Sequence, residues 1–207
     1  MKRQALPRAR GFTLIELLVV ITIIMVLAGL TLSLFSYANV KAASDRARAE
    51  VSALSLALES YKIDNGDYPR STDTDSLNAQ SSPSLAIQNG TVPASGAASL
   101  VLYKALSGDT TLDGVVDTDT NTNTKNTVYF EFKSSLLYPK APAGTVRAAN
   151  SIKAVVDPFR NVYGYSTIGS KTNPVSGQGY NPTFDLWSTA DKDQSGATPQ
   201  ATWIKNW

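Results

Sequence analysis

Residues Gly11 to Ala38 read GFTLIELLVVITIIMVLAGLTLSLFSYA, an apolar stretch broken by a single charge, Glu16. From Leu17 to Ala38 no residue is charged. At about 1.5 Å rise per residue, a helix of that length reaches roughly 33 Å, enough for the hydrocarbon core of a bilayer. Glu16 is the anomaly. An acidic side chain at the centre of a membrane helix costs about 2.5 to 3.5 kcal/mol on insertion scales and less near an end, so a carboxylate kept here calls for a partner that neutralises it, unless it simply sits at headgroup level.

On the N-terminal side, MKRQALPRARG is basic and has no acid. By the positive-inside tendency this leader stays cytoplasmic and the long C-terminal part is exported. A secretory signal peptide is the rival reading, but its apolar core normally runs about 7 to 15 residues and ends at an A-x-A-like site. Here the core is longer, and Val40-Lys41-Ala42 is a poor substitute for such a site.

The basic leader followed by Gly11-Phe12-Thr13-Leu14-Ile15-Glu16 resembles the processing motif of type IV prepilins. The resemblance implies cleavage after Gly11 by a membrane prepilin peptidase, methylation of the new Phe12 amine, and a Glu as fifth residue of the mature chain. It further implies that Glu16 pairs with the Phe12 amine of a neighbouring subunit during assembly, where an unpaired charge is penalised.

Beyond Ala38 the helical pattern continues. Ala43, Ala47, Val51, Leu54, Leu58 and Tyr61 recur at spacings of three and four, while Lys41, Asp45, Arg46, Arg48, Glu50 and Glu59 occupy other faces. This predicts one helix from Phe12 to about Asp64, apolar over 12–38 and amphipathic over 39–64, closed by the C-cap pair Asn65-Gly66. Gly29 inside it permits close helix approach or local unwinding, or is merely tolerated. Tyr61 and Tyr68 are available to cover the helix end, and Tyr68-Pro69 starts an extended segment.

Residues 65–207 form the exported domain, with a polar insertion at about 71–127. Ser71 to Pro93 reads as surface loop. Ser99 to Leu106 reads as a short helix. In Asp109 to Thr127, alternating Asp117, Asp119, Asn121 and Asn123 mark an Asx-turn-rich loop or a Ca²⁺-holding one. Four segments read as strands: Val128 to Lys133, Ile152 to Val156, Val162 to Thr167 and Phe184 to Ser188. The predicted fold is α+β: a small antiparallel sheet with one apolar face, covered by Ala43 to Tyr61 of the long helix, whose apolar half protrudes as a stalk.

Ala57 to Pro69, Asp157 to Tyr165 and Tyr180 to Ser188 are similar to stretches of the major pseudopilins of type II secretion systems. At Phe159 and Arg160 the chain departs from that family's Trp-Gly. The likeness implies a structural subunit of a secretion pseudopilus or type IV pilus-like filament. Its partners would be further copies of itself, the prepilin peptidase, minor pseudopilins, an inner-membrane assembly platform and membrane lipid. The implied location is the bacterial inner membrane, crossed once with the N-terminus cytoplasmic, and then the filament. A minor pilin or binding module at a fibre tip, serving adhesion or DNA uptake, is the alternative.

Composition narrows the chemistry. The chain has no His and no Cys, which removes the usual near-neutral acid/base group and thiol chemistry. After the helix the sole Glu is Glu131, and no carboxylate pair or nucleophile set is visible, so an enzyme is not expected. The formal charge of +2 includes the leader cations Lys2, Arg3, Arg8 and Arg10, which leaves the remainder at −2. A mildly acidic mature chain argues against a nucleic-acid surface.

One motif points to a metal. Asp191-Lys192-Asp193-Gln194-Ser195-Gly196 has a D-x-D-x-S-G spacing that lets alternate side chains face one cation. Thr202 stands where an EF-hand loop has its final Glu, so other ligands, such as Ser188, are needed. The pseudopilin resemblance implies Ca²⁺ in this C-terminal loop, with Asp191 as a ligand. An ordinary Asx-rich turn is the alternative.

Overall fold

A computed structural model describes residues 11–81, 83–118, 125–142, 144–171, 178–190 and 199–207. The chain divides after Lys41 into two compact units. Helix α1 spans Leu14–Asn65, 52 residues, close to the expected bounds. In the first unit it is apolar on all sides and runs unbroken through Gly29. Among the described residues no helix is long and apolar enough to cross a membrane; the span expected over 12–38 includes positions that fall outside them. The side chains of residues 31–34 and 36, inside that run, lie outside the described ones.

In the second unit α1 buries one stripe, Ala47, Val51, Leu54, Ala57 and Leu58, at the spacing that puts side chains on a single helix face. The stripe packs into a core with Tyr163, Tyr165, Leu186 and Ile204. Gly66 stops the helix at φ +85° while its N–H bonds to the Lys62 carbonyl at 2.7 Å, a geometry open to glycine at little cost. Tyr68 tucks under this end, its hydroxyl donating to Glu59 at 2.9 Å and its ring centroid 4.9 Å from that of Phe184.

The single expected sheet is two antiparallel ladders. In one, β1 (Leu137–Tyr138) pairs with β2 (Ala154–Val155). In the other the order is β3 (Gly164–Ser166), β4 (Asp185–Ser188), β5 (Ile204–Lys205). A bridge at Val156 and Val162, with Tyr163 N–H donating to the Val155 carbonyl at 2.9 Å, stitches one to the other. Both faces are apolar, where one was expected. Val155, Tyr163, Tyr165 and Leu186 join the core under α1. The alternate residues Ala154, Val156, Val162 and Trp187 form a second core with Ala79, Leu85 and Trp203. Gly164 lies opposite Trp187 in the β3–β4 register, and a Cβ there would run into the buried indole.

Helix α3 (Ser95–Ser107) buries Ala98, Leu102, Tyr103 and Leu106. Its Ser99 hydroxyl accepts from the Val155 N–H at 3.1 Å and donates to the Gly96 carbonyl at 2.8 Å. Ser71 to Pro93 is more than surface loop. It holds helix α2 (Thr72–Ser76), capped by Ser71 and Thr74, and it buries Thr74, Ala79 and Leu85. The strand expected at Val128 to Lys133 is not formed. The Tyr129 and Phe130 amides both donate to the Leu106 carbonyl, at 2.8 and 2.9 Å. They close the C-terminal end of α3, so the segment has no ladder partner among the described residues despite its alternating side chains.

Candidate functional site

The start of α1 is a capping box. The Thr13 carbonyl accepts the Leu17 N–H, the first intrahelical bond, which makes Thr13 the N-cap and Glu16 the third helical residue. The Glu16 backbone N–H donates to Thr13 Oγ1 at 3.3 Å. In return Glu16 Oε2 accepts from the Thr13 N–H and from Thr13 Oγ1, both at 2.8 Å. Two helix-end donors are satisfied reciprocally, as Thr-x-x-Glu permits. That spacing stood in the sequence, and it gives the carboxylate a local role that the membrane argument alone does not supply.

The box uses a single oxygen of Glu16. Among the described residues Oε1 has no hydrogen-bond partner, and the carboxylate is exposed on a helix otherwise apolar. Phe12 is 81% exposed. At Gly11 a Cβ would meet nothing within 4 Å among the described residues, so their packing gives no reason for glycine there.

The metal motif is placed only in part. Asp191, Asp193 and Ser195 lie outside the described residues. Ser188, on β4, is fully buried, and its Oγ donates to Asp157 Oδ2 at 2.5 Å while accepting from the Ala190 N–H at 3.0 Å. Its oxygen is thus engaged within the fold. No group of three or more acidic residues able to hold a metal occurs among the described residues. In the upstream tract, Asp117 Oδ2 accepts from the Thr110 N–H at 2.6 Å and the Thr111 N–H at 3.0 Å, a turn-stabilising arrangement. Asp119, Asn121 and Asn123 lie outside the described residues.

Asp157 was not expected as a hub. Its Oδ1 accepts from the Phe159 and Asn161 amides, both at 2.9 Å, and closes a turn in which Arg160 takes φ +73°. Asn161 Nδ2 then donates to the Ala190 carbonyl at 2.9 Å, where φ is +55°. The turn therefore holds the chain just before Asp191. Burial pushes the Asp157 carboxyl up to about 7, with Glu50 adding to the rise while Ser188 and the two amides oppose it. Glu50 in turn accepts from the Tyr163 hydroxyl at 2.7 Å and pairs with Arg46 at 2.7 Å, tying α1 to the sheet. Burial, then Glu50, raises the Tyr163 phenol. The signal for Asp157 was Asp-Pro before a five-residue turn, legible as a turn but silent on the contact with Ser188.

Residues 6–32 match the family model described as prokaryotic N-terminal methylation motif, and residues 35–91 match type II secretion system (T2SS), protein G. Type II secretion system core protein G of Escherichia coli (strain K12) is 44% identical over 66 residues, 32% of this chain and 46% of that protein. Those of Pectobacterium carotovorum subsp. carotovorum, at 44% over 62 residues, and Klebsiella pneumoniae, at 42% over 64 residues, are similar. They are covered over 40% and 46% of their own length, and cover 30% and 31% of this chain. The chain thus spans less than half the length of these curated relatives. The family matches end at residue 91, so the resemblance read at Asp157 to Ser188 lies beyond them. No solved structure matches the chain.

Proposed function

We propose that this chain, which matches the prokaryotic N-terminal methylation motif over residues 6–32 and type II secretion protein G over residues 35–91, is a non-catalytic structural subunit. It polymerises through α1 into a type II secretion pseudopilus or a related type IV pilus-like filament. The observation that carries this reading is Glu16: one carboxylate oxygen caps its own helix and the other is left for a donor from outside. Cleavage after Gly11 leaves a cationic amine on Phe12, and a neighbouring copy can bring that amine to Oε1, joining opposite charges inside an apolar bundle. Open space around Gly11 fits selection by a peptidase in place of selection by packing. The uncharged run Leu17 to Ala38 fits storage in the inner membrane before assembly, with minor pseudopilins and an assembly platform as partners.

Filaments sheared from cells expressing wild type, Glu16→Gln and Glu16→Leu test this reading. Gln retains the capping box but not the charge. Both variants should insert normally and yield at least about tenfold less fibre, the loss expected from orphaning a charged partner. Wild-type fibre yield from Glu16→Gln would reject the pairing. Mass spectrometry of the fibres should find a methylated chain beginning at Phe12, and an intact Met1 would reject the processing.

We propose in addition that the loop after Ala190 holds Ca²⁺ through Asp191 and Asp193, with Ser195 and main-chain carbonyls. Ser188 is the poorest member of that set, since its hydroxyl is already bonded to Asp157. An ion would join carboxylates that otherwise repel, so melting of the full chain in detergent should rise with millimolar Ca²⁺ over chelator. The rise should vanish in Asp191→Ala/Asp193→Ala. Identical melting of the wild type in both conditions would remove the site.

A further inference from the structure

We propose that residues 131–133 form a docking edge for a second copy of this chain, the two copies pairing antiparallel about Phe132. The stretch has a strand's order of side chains without a strand's neighbours. Phe130 and Phe132 turn inward, their ring centroids 4.8 Å apart and that of Phe132 4.9 Å from that of Tyr103. Glu131 and Lys133 stand exposed between and beyond them, the alternation of an extended chain. Lys133 itself is extended, at φ −64° and ψ 147°.

The backbone of this stretch is unclaimed. Leu106 takes the Tyr129 and Phe130 amides, and the ladder of β1 begins only at Leu137. Between them, among the described residues, the amides of Glu131, Phe132 and Lys133 and the carbonyls of Glu131 and Phe132 make no hydrogen bond. Unpaired N–H and C=O groups along an extended stretch are a template for another extended chain.

The charges select which chain. Among the described residues Glu131 and Lys133 form no ion pair. Charges on an edge ordinarily turn a pairing strand away, but these two are opposite in sign and two positions apart. Antiparallel pairing of the stretch with itself about Phe132 sets Glu131 of each copy across from Lys133 of the other, so a single contact makes both ion pairs. Parallel pairing in register would set like charges side by side. Glu131 and Lys133 border a groove of about 780 Å³ along Ala49 and Ala53 of α1, and those small side chains leave room for the long ones of the second copy.

A two-fold contact cannot recur between successive subunits that all point the same way along a filament. This one therefore joins copies that are not stacked in one filament, and it stands independently of the Glu16 pairing.

Sedimentation of the full chain in density-matched detergent micelles tests the pairing. The wild type should dimerise with a Kd on the order of 0.1 mM, weak because the contact is small. Glu131→Lys and Lys133→Glu should each raise that Kd roughly tenfold or more, since each reversal turns both attractive pairs into repulsive ones. An equimolar mixture of the two variants should regain the wild-type Kd, and so should the double reversal Glu131→Lys/Lys133→Glu. Association through the apolar half of α1 would ignore all of these changes. Carbodiimide should also join Glu131 of one chain to Lys133 of another, recovered as a hybrid peptide from mixed light and heavy-nitrogen chains. A wild type still monomeric at about 1 mM, a wild-type Kd in either single reversal, no recovery in the mixture or the double reversal, or a cross-link found only within one chain would each overturn the proposal.

Discussion

The two halves of α1 share a backbone and differ in every demand placed on their side chains. From Phe12 to Leu30 each described large apolar residue is at least 45% exposed, whereas Ala47, Leu54 and Leu58 are fully or almost fully buried in the domain core. A helix apolar all round must be covered by something beyond its own fold, and a helix with one apolar stripe is covered by the sheet it packs on. The first half is thus specified for partners and the second for this chain, so substitutions in one should leave the other's property intact.

The sharpest break in that contrast is Gly164→Ala. The added methyl meets the buried Trp187 indole, whose ring has nowhere to move, so the domain should lose about 2–3 kcal/mol or more from overpacking. Chemical denaturation should show the loss, while membrane insertion of the chain stays normal. Wild-type stability would mean that β3 and β4 can separate more easily than their register suggests.

Next in size is a pH effect confined to the second unit. The Asp157 carboxyl stands at about 7 in the fold against an ordinary 3.8. Between those values the unfolded chain has released a proton that the native state still holds, so stability should fall as pH rises from about 4 to 7 and change little from this group outside that window. Asp157→Asn keeps an acceptor for the turn amides and should flatten the slope. Denaturation at several pH values in chelator measures it, and an equally steep slope in the variant would assign the effect to other groups.

The smallest expected change is a gain. Arg160 holds φ +73° where the resembling pseudopilins have glycine, and a side chain in that region costs roughly 1–2 kcal/mol. Part of the relief is offset by the greater freedom of glycine in the unfolded chain. Arg160→Gly should therefore raise stability by up to about 1 kcal/mol, visible as a Tm a few degrees higher. A loss would show that the guanidinium makes contacts that outweigh the strain.

Apolar spacing made much of the architecture legible. It placed both ends of α1 to within about two residues and found the segments that hold β2, β3 and β4. Elements held by polar side chains escaped it. Helix α2 rests on the Ser71 and Thr74 cap, and on Thr74 meeting Thr167 at 2.7 Å inside the protein, which no hydrophobic period reports. Val128 to Lys133 has the alternation of a strand, but its amides are taken by the end of α3, a destination fixed only in three dimensions. At the candidate site, Gly11, Phe12 and Glu16 were legible as a motif, and Thr13 was legible as a cap to a reader of Thr-x-x-Glu. The contact of Asp157 with Ser188 spans 31 positions and had no local signal.

Ser99 carries a consequence for how the layers hold their alignment. Greasy surfaces alone let a helix slide or roll over a sheet by fractions of a residue, each small slip costing little. The Ser99 hydroxyl instead stands in for a missing strand, taking the Val155 N–H that a neighbouring chain segment would otherwise have claimed. A slip of even one ångström would strand that amide in the interior, so α3 is keyed to β2 at one position. Alanine there would leave the layers together but free to drift.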